Sequence, residues 1–394
     1  MFKICNSGNH YNTPKIQIML DNTKFLTTDS YIINRMLEHP DFIVCRPKNN
    51  YYHSLKHKKH GIKLSLDFRK AVENGNVIGY GHLEINVSPH YHFNNYLHNG
   101  NDFTPENCIK TIIDILTYLG IETNEMNALK VVNIEFGFNL ILNTYFELII
   151  KGLLYYKRTN FYQKYEYIPH YLITDTTAHK QIKVYTKGLQ CHEKLNAFEV
   201  DKNTLRIEVK SKQSKYINKL DIYTAKDLLN LCKYDRLMDE VLKEWDSILL
   251  LNLNPDFDNM KKDEVEFIQN ANKKSYWQDL LAENVNRNKF GRHKAKYYKI
   301  LKGENNLHQQ IKNKIIDKIE QFKSDANSTI ELQKETSTKV FSTTKLKTKK
   351  TINLEYAPLN KTIDANKRIK EMLRSPRFQT PSHFVSVKQS IRSP

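Results

Sequence analysis

Apolar and polar residues alternate along several short segments of the first 235 residues, which is the pattern of strands that bury one face. Between the first two of these segments, apolar residues recur three and four positions apart, which predicts a helix. Thr104 can cap this helix, Pro105 suits its first turn, and Gly120 can end it. The predicted strands are Ile78–Val87, Val131–Leu140, Gln181–Lys187 and Leu205–Lys210.

Strands that lie apart in sequence with helices between them indicate an α+β domain over residues 1–235, with a central antiparallel sheet and flanking helices. A second helix is predicted to begin at Thr224. Residues 236–325 have an almost purely helical pattern and form a predicted accessory region. Residues 326–394 are rich in Ser, Thr, Lys and Pro, the composition of a flexible tail. The helices predicted in the accessory region are Asp263–Ala271, Tyr276–Asn284, Lys294–Leu301 and Leu307–Phe322.

The charge of the chain is strongly positive: 61 Lys and Arg against 43 Asp and Glu give +18. Residues 326–394 hold 14 basic and 5 acidic residues, a net +9, which is half of this excess. Such a surplus indicates a polyanionic partner, nucleic acid before membrane, although a basic surface with no partner is the alternative. The basic residues of the helical region are either a solvated face or contacts with a DNA backbone.

Several protein classes are disfavoured by the sequence. No segment reaches the roughly 18 uninterrupted apolar residues of a membrane helix, and Met1–Lys15 has no apolar core of a secretory signal. The five cysteines form no Cys-x-x-Cys pair, which argues against a disulfide scaffold and a thiolate zinc site. Gly-rich phosphate loops are absent, which disfavours an ATPase or a dinucleotide enzyme. Because neither a membrane helix nor a secretory signal is evident, we expect a cytoplasmic protein.

Three predicted strands each carry one glutamate on the polar face: Glu84, Glu135 and Glu208. Because side chains alternate along a strand, these carboxylates share the polar face of whichever sheet the strands build. Arg206 and Lys210 lie on the same face as Glu208. Any single glutamate of this kind is more often a surface residue, but converging carboxylates in a basic protein suit Mg²⁺ or Mn²⁺ held against phosphate.

The predicted strand Gln181–Lys187 places Tyr185 on one face with Lys183 and Lys187. Flanking cations stabilise a phenolate and can hold a phosphate beside it, which a tyrosine nucleophile requires. The chain has 23 tyrosines, so other candidates exist. One cluster of them is interpreted as a strand pair or a base-stacking surface: Tyr155, Tyr156, Tyr162, Tyr165, Tyr167 and Tyr171.

The segment His90-Tyr91-His92 follows Pro89 at a strand end, in what reads as a polar loop. Two imidazoles one residue apart can share a metal. The alternative is that His90 alone contacts a phosphate or supports the site. The remaining histidines of the amino-terminal part lie among lysines and predict an exposed basic segment: His53, His57 and His60.

Five short motifs occur along the chain: Glu84-Ile85-Asn86-Val87-Ser88-Pro89, His98-Asn99, Asn133-Ile134-Glu135, Val184-Tyr185-Thr186-Lys187-Gly188-Leu189-Gln190, and Leu205–Lys210 followed by Tyr216-Ile217-Asn218-Lys219-Leu220. In this order they resemble the rolling-circle replication initiators of phages and plasmids. The nearest type is the gene II/X type of filamentous phages with its relatives on Bacteroidetes plasmids. The resemblance implies a rolling-circle nuclease-like fold, Tyr185 as the nucleophile, and Glu84, Glu135 and Glu208 as metal ligands or their close support.

The function expected from these observations is a metal-dependent DNA nicking and joining enzyme that starts rolling-circle replication of a phage or plasmid. Its partners would be origin DNA and the host replication machinery. Predicted DNA contacts are His90, His98, Asn99, Arg206 and Lys210. The alternative is a basic DNA-binding protein without catalytic activity, such as a copy-control or architectural factor.

Overall fold

The structure, a computed structural model, describes residues 18–143, 146–166, 170–177, 179–282 and 287–320. The predicted flexible tail, residues 326–394, lies outside the described residues, as does Tyr167.

A large antiparallel sheet organises this part of the chain, as the sequence predicts. Its ten strands run in the order β2-β3-β4-β5-β1-β6-β12-β11-β10-β9, and every neighbouring pair is antiparallel. A second sheet has three strands in the order β13-β7-β8. The strands are β1 (Met19–Thr27), β2 (Phe42–Val44), β3 (Tyr52–His57), β4 (Gly61–Glu73), β5 (Asn76–Val87), β6 (Lys130–Ile141), β7 (Leu153–Tyr156), β8 (Thr159–Asn160), β9 (Tyr162–Gln163), β10 (Tyr171–Thr177), β11 (Lys180–Thr186), β12 (Thr204–Ser211) and β13 (Ile248–Leu250).

Helices lie between the strands and after them in sequence, and several pack against the large sheet, so the α+β class is confirmed. They are α1 (Ser30–Leu37), α2 (Pro89–Phe93), α3 (Pro105–Tyr118), α4 (Phe146–Gly152), α5 (Lys187–Leu195), α6 (Ser214–Asn218), α7 (Leu231–Asp246), α8 (Lys262–Ala271), α9 (Lys274–Ala282), α10 (Arg287–Ile300) and α11 (residues 307–320). Short 3-10 turns cover Glu125–Ala128, Ala225–Leu229 and Gly303–Asn305. The helices of the predicted accessory region are present, although α10 begins earlier than predicted, at Arg287.

The predicted start and end of α3 are confirmed. The Thr104 hydroxyl accepts a hydrogen bond from the amide of Asn107, and Gly120 adopts a φ of +68° just past the helix end. The single helix predicted from Thr224 is wrong. Thr224 caps only a 3-10 turn, and the extended backbone of Asn230 separates that turn from α7, which Asn230 itself caps. Because the apolar residues continue through both pieces, hydropathy alone does not show the break.

Two large apolar cores hold most of the described elements together. The main core fills one face of the large sheet with side chains of α1, α3, α7 and α11. A second core joins Tyr155 of β7 to β13, α8, α9 and α10 around the buried rings of Trp277 and Tyr297. The predicted boundary at residue 235 falls inside α7, and the division into three regions stays a prediction. No helix among the described residues is long and apolar enough to cross a membrane.

The face of the large sheet opposite the main core carries the polar residues of the predicted strands. On this face Gly137 of β6 lies directly opposite Glu208 of β12. A Cβ at Gly137 would overlap the carbonyl oxygen of Ile207 and come within 2.9 Å of the Glu208 Cα. Glycine therefore allows the close approach of β6 and β12 at the centre of the candidate site.

Candidate active site

Three carboxylates from adjacent strands converge on the polar face of the sheet. Asp21 of β1, Glu135 of β6 and Glu208 of β12 each offer an oxygen atom, and these atoms lie within 4.8 Å of one another. We refer to these residues as the acidic group. Asp21 joins it because β1 has a bulge there: Leu20 pairs with Phe136 and Asn22 with Glu135, which leaves Asp21 as the extra residue.

Glu84 does not belong to this group, so the predicted convergence of three strand glutamates is wrong in one member. Glu84 lies on β5, with β1 between it and β6, and it pairs with Leu26, whereas Glu135 pairs with Asn22. Four residues along β1 correspond to roughly 13 Å. Glu84 instead bonds to Lys24 (2.7 Å) and Lys48, and accepts a hydrogen bond from the Tyr52 hydroxyl (3.1 Å).

Cations surround the acidic group. The Nζ atom of Lys183 bonds to both Glu135 and Glu208, the latter at 2.8 Å. Lys210 Nζ lies 3.0 Å from Glu135, and Arg206 lies 3.4 Å from Glu208 and 3.7 Å from Asp21. Three carboxylates thus face three cationic side chains.

The charges of this network fix the ionised state of its most buried carboxylate. Burial alone would raise the pKa of Glu208, but the positive charges of Lys183 and Arg206 outweigh it and lower the pKa to about 2. Glu208 is therefore a carboxylate at neutral pH. Oxygen donors in this number suit a hard divalent cation, so the residues fit Mg²⁺ or Mn²⁺.

Tyr185 lies beside the acidic group, as its position on β11 requires. Its hydroxyl donates a hydrogen bond of 2.7 Å to Oε1 of Glu208. The ring is 5% exposed and packs against Tyr171, with ring centroids 4.7 Å apart. Burial and the negative charge of Glu208 raise the pKa of Tyr185 well above its usual value. The phenol is therefore neutral, and its proton points at a carboxylate.

Lys187 begins α5 rather than ending β11, so its side chain is not on the strand face with Lys183 and Tyr185 as predicted. It is nevertheless near: Nζ lies 5.9 Å from the centroid of the Tyr185 ring, 2.5 Å from Oδ1 of Asn99 and 2.8 Å from Oε1 of Gln190. Burial and the charge of Arg206 lower the pKa of Lys187 to about 8.

The segment around Asn99 closes over one side of the site. Asn99 bonds through its amide nitrogen to Asp21, and its backbone oxygen accepts a hydrogen bond from Arg206. Arg206 is fully buried and also donates from Nε to Oδ1 of Asn139 at 2.8 Å. His98 lies next to this contact and pairs with Glu199 at 2.8 Å. The predicted DNA contacts Asn99 and Arg206 thus touch the acidic group itself.

The histidine predictions need correction. His90-Tyr91-His92 forms the short helix α2 rather than a polar loop, because Pro89 occupies its first turn. His90 bonds to Asn101 and His92 to Tyr96, so the two rings have different partners. His90 is fully buried, and a direct contact with DNA would require this segment to move.

The segment predicted to be exposed and basic is partly buried. His57 ends β3 with 4% of its surface exposed, and its Nε2 atom lies 2.9 Å from the hydroxyl of Tyr118. The tyrosine cluster is also divided among different places. Tyr155 and Tyr156 are buried on β7, whereas Tyr165 and Tyr171 pack near Tyr185.

Two residues of the site were missed by the sequence analysis: Asp21 and Asn139. A bulge breaks the alternation at Asp21, so counting by two places it wrongly. Asn139 lies four residues after Glu135 on β6, inside the predicted strand Val131–Leu140, so the alternation of that strand could have identified it.

The sequence was also compared with known proteins. No protein-family model matches the chain, and no curated protein matches it significantly. The resemblance to rolling-circle initiators therefore stays a prediction from short motifs.

Proposed function

We propose that this protein is a metal-dependent DNA nicking and joining enzyme that starts rolling-circle replication of a phage or plasmid, on a rolling-circle nuclease-like sheet. One observation carries the proposal: the Tyr185 hydroxyl donates a 2.7 Å hydrogen bond to Glu208, a member of the acidic group. A nucleophile bonded to a base, with the base held by further charges, is the arrangement that covalent catalysis needs.

The raised pKa of Tyr185 defines how the attack proceeds. A phenol with such a pKa does not ionise in advance, so its proton moves to Glu208 as the oxygen attacks the phosphorus atom. The bond from phosphorus to the 3′ oxygen breaks, which leaves a 5′-phosphotyrosyl adduct and a 3′-hydroxyl primer. The adduct conserves the phosphodiester energy, so the strand can be rejoined without ATP.

The surrounding charges set the order of events in this step. Arg206 and Lys183 lower the pKa of Glu208 and so make it a weak base, which takes the phenolic proton only as the forming bond from oxygen to phosphorus makes that proton acidic. Lys187, with a pKa of about 8, is largely protonated at neutral pH and can supply the proton that the leaving 3′ oxygen takes up. A Mg²⁺ or Mn²⁺ ion held by Asp21, Glu135 and Glu208 would polarise the scissile phosphate.

A second candidate function is a DNA-binding protein without catalysis, and one observation favours it. Lys183 already bonds to Glu135 and Glu208, so the acidic group is compensated by the chain itself. Ion-pair networks of this kind also occur as purely structural features.

The experiment compares two glutamates of the same sheet face. A library of 3′-labelled single-stranded oligonucleotides is incubated with Mg²⁺ or Mn²⁺ and the protein, and covalent protein–DNA species are separated under denaturing conditions. Glu208→Gln removes the proposed base and is expected to reduce adduct formation by roughly 100-fold or more. Glu84→Gln is the matched control and is expected to retain activity, because Glu84 lies outside the acidic group.

Oligonucleotide binding is measured for both variants in EDTA. Binding by wild-type protein without any covalent species, in either metal, would favour the second candidate. Equal loss of activity in both variants would contradict the site as assigned.

A further inference from the structure

A cavity of about 530 Å³ lies between the turn that joins β7 to β8, the start of β11, and α6. Five cationic side chains line it: Lys157, Arg158, Lys180, Lys215 and Lys219. Lys180 and Tyr185 are five positions apart on β11, so they point to opposite faces of the sheet, roughly 16 Å apart along the strand. The cavity is therefore separate from the candidate active site.

Three different segments bring these cations together. Lys157 and Arg158 form the two-residue connection between β7 and β8, in which Tyr156 pairs with Thr159. Lys157 adopts a φ of +54°, a conformation that normally favours Gly or Asn in such a turn. The chain thus has a lysine at a backbone position that disfavours it, beside an arginine. Lys215 and Lys219 come from α6 and the residue after it.

The polar side chains at the floor of the cavity are paired with carboxylates. The Tyr156 hydroxyl and Lys180 both bond to Glu244, and the Tyr216 hydroxyl donates a 2.6 Å hydrogen bond to Glu240. The cations of the rim differ in this respect. Within the described residues, no ion pair joins a carboxylate to any of the four exposed rim cations, which are Lys157, Arg158, Lys215 and Lys219.

We propose that this cavity binds phosphate groups of a nucleic-acid strand. The four rim cations are exposed and come from separate segments, so they suit several phosphates along a backbone. A site for a single small anion would instead need hydrogen-bond donors that converge at the buried floor of the cavity. Here the tyrosine hydroxyls of the floor already donate to carboxylates. The net charge of +18 is consistent with a polyanionic partner. This inference goes beyond the proposed nicking activity and does not depend on it.

The test measures binding of a single-stranded oligonucleotide in EDTA as a function of salt. A variant with Lys157, Arg158, Lys215 and Lys219 all changed to Ala is expected to bind roughly 100-fold more weakly at 0.1 M salt. Its slope of log K against log salt is expected to fall by about 3, because each phosphate contact on a single strand contributes about 0.7. Circular dichroism and the thermal midpoint establish that the variant is folded.

A matched control removes the same charge elsewhere. Its four exposed lysines lie on α3, on the 3-10 turn before α7, and on α8 and α9: Lys110, Lys226, Lys262 and Lys274. It is expected to change the slope much less. Equal effects of the two variants would overturn the site. Inorganic phosphate or a mononucleotide that competes at micromolar concentration, and loses this competition in the rim variant, would overturn the strand as occupant.

Discussion

At the residue scale, the main feature of the candidate site is a set of buried charged side chains. Glu208 and Arg206 are both fully buried, and Lys183 bridges Glu208 to Glu135. Burying ions is costly, and the cost is offset only while every partner is present. The same arrangement keeps Glu208 ionised next to the Tyr185 hydroxyl. Stability and the proposed chemistry therefore depend on the same few side chains.

Lys183→Met is expected to destabilise the protein by about 3–5 kcal/mol, because it leaves buried carboxylates without their shared partner. If the acidic group can hold a divalent cation, Mn²⁺ should replace the missing positive charge and raise the thermal midpoint of the variant more than that of the wild type. Thermal unfolding with Mn²⁺ or EDTA measures this. Lys210→Met, which removes a more exposed partner of Glu135, is the control and should be less destabilised. If Mn²⁺ does not change the thermal midpoint of the Lys183→Met variant, this result would argue against a metal site.

At the element scale, the register of the central strands decides which side chains meet. Gly137 lets β6 approach β12 closely enough for Glu135 and Glu208 to share one cation. The bulge in β1 adds Asp21 from the next strand. These two local features make a site from strands that would otherwise present only separate polar residues.

Gly137→Ala is expected to cost about 1–3 kcal/mol or more, since the added methyl group meets backbone atoms of β12 that cannot move without opening the sheet. Gly81→Ala is the matched control: Gly81 also lies in a strand, β5, and its Cβ would meet nothing within 4 Å. Its effect should stay within about 0.5 kcal/mol. Denaturant unfolding of both variants measures the difference. Similar stabilities would show that β6 and β12 are not so closely packed.

Alternation along the strands predicted much of the sheet and part of the site. It identified β5, β6, β11 and β12 within a few residues, and it placed Glu135 and Glu208 on one polar face and Tyr185 on a face with Lys183. It did not predict the order of the strands, because pairing is set by tertiary packing. For that reason Glu84 was grouped wrongly. Asp21 was missed because a bulge changes the count of residues in one strand only.

At the scale of the whole molecule, the described chain closes its main core with α11. Ile311, Ile315 and Ile319 are buried in that core. The indole of Trp245 donates a hydrogen bond of 3.1 Å to the backbone oxygen of His308. The last described helix is thus a structural part of the main core rather than an appendage. We interpret the positive charge of residues 326–394 differently, as a source of salt-dependent attraction to phosphate.

Two truncations separate these roles. Deleting residues 326–394 removes nine net positive charges and no residue of the described core. The thermal midpoint should change little, whereas the salt dependence of DNA binding should become less steep. Deleting residues 306–394 also removes α11 and should lower the midpoint markedly and expose Trp245 to solvent. Tryptophan fluorescence and thermal unfolding measure both. An early-melting 326–394 deletion would show that the segment packs on the core.

The central claim is that Tyr185 forms a covalent bond to DNA. The most direct measurement digests the protein after reaction with 3′-labelled oligonucleotides and identifies the nucleotide-bearing peptide by mass spectrometry. We predict that the phosphate is attached to Tyr185 and that Tyr185→Phe binds DNA but forms no adduct. Tyr171→Phe, which alters the ring packed against Tyr185, should still form it. An adduct on another tyrosine, or cleavage by Tyr185→Phe that leaves a free 5′ end, would contradict the account.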